Sequence, residues 1–187
     1  MTATGNPVKP ADLLEGQGLV VCSVRYPMIS KVMVELLEAL LRGAGLAGAI
    51  LSIDRPHTYI SHLLEKRGVP QEKLVYIDAV TRISGEAPPS TGGSELLPAP
   101  FCVNILSDFM TVCGPKIAEK RAGFLLVDNL SALTPYVSEE CMRRFLENLV
   151  QLGRQVPGLR CVFVLDRQSH SHLYELLKKM GAREVSI

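Results

Sequence analysis

The sequence predicts an α/β protein with a mostly parallel central sheet and helices on both faces. Three observations carry that prediction. Short apolar runs recur along the chain at residues 19–24 (LVVCSV), 47–53 (AGAILSI), 73–80 (KLVYIDAV), 123–127 (GFLLV) and 159–165 (LRCVFVL). Segments with helical spacing of apolar residues lie between them, the alternation that builds parallel sheets. Several runs end in an acid, which places a carboxylate at the C-terminal edge of a strand, where open α/β sheets bind ligands.

The chain is organised around residues 19–42. A buried strand leads through a short turn into a helix whose apolar side is Ile29, Val32, Met33, Leu36, Leu37, Leu40 and Leu41. Pro27 suits a helix start and Gly43 a stop. Strand, turn and helix are the layout of a phosphate-binding loop, G-x-x-x-x-G-K-[ST], in which glycines permit the bend and backbone N–H groups converge on the anion. On that template the turn reads Arg25-Tyr26-Pro27-Met28-Ile29-Ser30-Lys31-Val32. Arg25 and Ser30 stand where glycines belong, Pro27 has no N–H to give, and Val32 has no oxygen for a metal. Only Lys31 matches. Lys31 has two readings: a residual phosphate contact, or a solvated residue paired with Glu35 as Glu38 pairs with Arg42. The second is preferred.

The remaining elements follow in order. Asp54 is expected to cap a helix over residues 56–67 with Ile60, Leu63 and Leu64 facing inward. Residues 81–100, rich in Pro and Gly, read as a long mobile loop. Residues 101–120 regain a helical pattern, interrupted at Gly114-Pro115. Ser138 is expected to cap a helix running to about Gly153, and a helix over 171–180 precedes a last strand at 184–187. Residues 1–10 read as a flexible arm with a helical turn near 11–14, and residues 11–187 as one domain.

Bulk properties exclude several classes. Net charge is +1 and 5% of residues are aromatic, with no Trp, so neither a basic footprint nor a stacking platform for nucleic acid is present. No apolar run nears the ~20 residues that span a bilayer. Five cysteines without a C-x-x-C pair fit a reducing, cytoplasmic setting. Cys22, inside the first strand, reads as core and not as a nucleophile. His57 and His62 do not share a helix face, and His170 and His172 near Asp166 read as surface, so no metal site is expected.

The order of strand, turn with Lys31, helix, strand, acid and helix, closed by LLVDNLS at residues 125–131, resembles the RecA-like ATPases, and within them the KaiC- and RadA-like proteins. In those proteins a strand resembling residues 49–53 ends in a catalytic glutamate pair, and a later strand ends in aspartate; Asp54-Arg55-Pro56 and Tyr76-Ile77-Asp78 hold those places here. The resemblance covers residues 11–187 and implies a RecA-like P-loop NTPase fold. It implies that Arg25, Tyr26, Ser30, Lys31, Val32 and Asp128 mark the nucleotide phosphate and Mg²⁺ region, and that Asp54 is the catalytic residue of any ATPase. With the glycines and the hydroxyl missing, a non-catalytic module is preferred, one without cofactor that interacts with a protein partner or forms a homo-oligomer. The alternative is an ATP-binding protein with weak ATPase activity, which would use ATP and Mg²⁺. DNA binding, as in RadA-like recombinases, is disfavoured by the balanced charge.

Overall fold

The computed structural model describes residues 13, 15, 18–79, 95–98 and 108–186. Seven strands are present among them: β1 (Gly18–Ser23), β2 (Gly48–Ser52), β3 (Leu74–Asp78), β4 (Glu95–Pro98), β5 (Phe124–Asp128), β6 (Arg160–Leu165) and β7 (Arg183–Ser186). They form one sheet in the order β4-β3-β2-β5-β6-β1-β7, and every pairing is parallel. Among the described residues the α-helices with defined ends are α1 (Ile29–Glu38), α2 (His57–Lys66), α3 (Asp108–Glu119), α4 (Glu139–Gln155) and α5 (Ser171–Lys179).

Side chains alternate across the sheet, so β1, β2, β3, β5 and β6 each feed two cores. Val20, Cys22, Ile50, Tyr76, Leu126 and Val164 pack with α1 and α2 on one face. Val21, Leu51, Ile77, Val127 and Phe163 pack with α3, α4 and α5 on the other. A strand buried on both faces is continuously apolar, which is why β5 reads FLLV and β6 CVFVL.

Three expectations need correction. The stretch 81–100 contains β4, an edge strand paired with β3 from Val75↔Glu95 to Asp78↔Pro98; the rest of it, like residues 1–10, lies outside the described residues. Helix α3 runs through Gly114-Pro115 without a break, because the burial of Phe109, Cys113 and Ile117 along one side outweighs the single hydrogen bond that Pro115 removes. The helix expected over 29–42 ends as α-helix at Glu38 and closes with a π turn, Ala39–Gly43, that buries both Leu40 and Leu41. Of the turn expected at 11–14, only Leu13 is described; it is buried against α1 and β1. Among the described residues no helix is long and apolar enough to cross a membrane.

Candidate functional site

Parallel register sets Ser52 beside Asp78 on one side and Asp128 on the other. Alternation from Ile50, Tyr76 and Leu126 points this row toward the α1 and α2 face, and all three residues are buried. From β2 the chain leaves toward β3, and from β5 it leaves the opposite way toward β6. The row therefore lies at a switch point, the place where open sheets leave a crevice.

Each carboxylate has a different arrangement. Asp78 Oδ2 accepts the backbone N–H of His57 at 2.8 Å and lies 2.5 Å from His57 Nδ1. Asp78 thus caps α2, the role the sequence suggested for Asp54. Asp54 instead lies beyond β2, 3.4 Å from Arg55 Nη2, and accepts the Asn129 amide at 2.9 Å. Arg55 Nη1 stands 3.3 Å from Asp128 Oδ1. Asn129 adopts left-handed backbone (φ 52°), a conformation asparagine tolerates better than most residues, and Ser131 Oγ donates to its side-chain oxygen. Burial pushes the Asp128 carboxyl up to about 6; Arg55 opposes the shift and the Asp54 charge adds to it. Asp128 Oδ2, Ser52 Oγ and His57 Nε2 are buried with no hydrogen-bond partner among the described residues.

The turn after β1 is built differently. Tyr26–Met28 form a 3₁₀ turn, and Met28 N–H donates to the Arg25 carbonyl at 2.8 Å. Among the described residues of this turn none has a left-handed φ. Arg25 is exposed, Ser30 half-buried and Val32 buried in the core, while the Tyr26 side chain lies outside the described residues. Lys31 is 56% exposed with Nζ 3.8 Å from Glu35 Oε1. The strands bearing this turn and Asp128 both flank β6.

Cys22 is core, its thiol pushed up to about 12 by burial. Asp166 accepts the Gln168 N–H at 2.9 Å and the Ser169 hydroxyl at 3.1 Å, so its carboxylate shapes its own turn. Among the described residues no three His, Cys, Asp or Glu side chains converge in a way that would hold a metal ion. The sequence reading missed Arg55, Asn129, Ser52 and His57 as parts of the site. Two signals pointed to them: each lies within five residues of the end of β2 or β5, and Asn129 follows the acid of an apolar run.

This sheet order, with a first strand turning directly into a helix and acids at the ends of the central strands, defines a RecA/KaiC-like α/β fold. Two solved structures with which the chain aligns come from Pyrococcus horikoshii. One is the protein PH0321, in complex with an unknown peptide, at TM-score 0.58 and 13% identity, covering 85% of this chain and 74% of that one. The other is the KaiC-like protein PH0186 of strain OT3, at TM-score 0.58 and 14% identity, covering 86% of this chain and 70% of that one. At these identities the likeness is one of fold. No family model matches the sequence, and no curated protein does.

Proposed function

We propose that residues 11–187 form a non-catalytic RecA/KaiC-fold domain that acts by holding a protein partner or a second copy of itself. The observation that carries this reading is the turn after β1. Its one matching lysine faces Glu35, and a 3₁₀ turn stands where a glycine loop would cradle phosphate. Two further observations support it. The large apolar side chains Met28, Tyr59 and Tyr136 are exposed on the segments that follow β1, β2 and β5. The fold neighbour PH0321 was solved with a peptide.

Calorimetry with Mg-ATP tests the non-catalytic part. The expected result is no binding at micromolar concentrations. Micromolar binding lost in Lys31→Ala would install the alternative, an ATP-binding protein using Lys31, Asp54 and Asp128. Light scattering after size exclusion, with pull-down from the native host, tests the interaction part; a strict monomer that recovers no partner removes it.

A further inference from the structure

ATP with Mg²⁺ is the cofactor this fold class implies, and the residues present do not fit it. The helix position that would offer a hydroxyl is Val32, buried in the core, and Asp128 Oδ1 already faces a guanidinium. We propose that Arg55 is a built-in cation, standing where a divalent ion would bridge Asp54 and Asp128, so that the chain excludes a metal while Arg55 is present and admits one when it is removed.

The geometry supports replacement better than an ordinary ion pair. Arg55 directs Nη1 to Asp128 and Nη2 to Asp54, at 3.3 and 3.4 Å. Charge-assisted bonds of ideal geometry are closer to about 2.7–2.9 Å. The guanidinium thus spans two carboxylates, one charge shared between both acids as a divalent ion would share its own. Asp54 is held without its help, and the backbone of Asp128 is held by the sheet. Asp54 accepts the Asn129 amide, Asn129 is held by Ser131, and Asp128 ends a central strand. Two buried oxygens have no partner among the described residues, Asp128 Oδ2 and the Ser52 hydroxyl in register beside it. Two carboxylates, a hydroxyl and water suit a hard divalent ion, which commonly takes one or two protein carboxylates and keeps several waters. The inference is independent of any partner and of nucleotide.

Mn²⁺ is the probe, followed by electron paramagnetic resonance and by thermal unfolding of the full chain without nucleotide. Wild type is expected to leave millimolar Mn²⁺ free. Arg55→Ala is expected to bind it at least about tenfold more tightly and to melt higher in its presence. Arg55→Lys, which keeps a cation, is expected to behave as wild type. Asp128→Asn in the Arg55→Ala background is expected to abolish the new binding. If Arg55→Ala folds only when Mn²⁺ is added, the ion has taken the guanidinium's place and the proposal stands. A variant that binds no Mn²⁺, or stays unfolded with it, overturns the proposal, as does wild type binding Mn²⁺ as tightly as Arg55→Ala.

Discussion

Burial opposes ionisation of Asp128, and the sign of that cost is testable. Its carboxyl is raised from 3.8 to about 6 in the folded protein. A group with a raised folded pKa contributes its full stability below the unfolded value and loses it as pH climbs through the folded one, so this contribution is whole below pH 3.8 and gone above about 6. Asp128→Asn, neutral throughout, is expected to exceed wild type in stability at pH 8 by on the order of 1–3 kcal/mol, the gap closing toward pH 4. Urea unfolding across that range measures it; a wild type more stable at pH 8 would show that Arg55 outweighs burial. Asp128 was legible in the sequence because an acid ends an apolar run. Arg55 was not, because its partner lies 73 residues further on and only the sheet brings them together. Asp54 was misread for a related reason: capping is a local rule, and the cap came from Asp78 on the next strand.

Among elements, β2 and β5 are held at close range by one glycine. A Cβ at Gly48 would lie 2.2 Å from the ring of Phe124, its register partner, and that ring is fully buried with nowhere to swing. Gly48→Ala is expected to cost about 1–3 kcal/mol, read by denaturant unfolding. At the start of α4, Ser138 Oγ accepts the Cys141 N–H, so Ser138→Ala is expected to cost about 1 kcal/mol by the same assay. This cap was readable because serine precedes two acids and an amphipathic run. The strands of the interior were readable too, since burial on both faces leaves only apolar residues in them. Strand β4 escaped notice because an edge strand of four residues, ELLP, set in a Pro- and Gly-rich stretch, needs little of its own to pair with β3.

For the whole molecule, the parallel class was legible and the strand order was not. Alternating strands and helices say that crossovers occur, but nothing local says which strand a crossover reaches. Strand β1 takes its neighbours from the far end of the chain: Gly18 is in register with Arg160, and Val20 with Arg183. During synthesis, then, the strand made first waits longest. Until the ribosome has passed residue 160, the apolar segment LVVCS has both of its hydrogen-bonding edges open, the condition under which nascent chains attract chaperones or one another. Fragments stopped short of that point are expected to stay protease-sensitive, with resistance rising only once β6 has emerged.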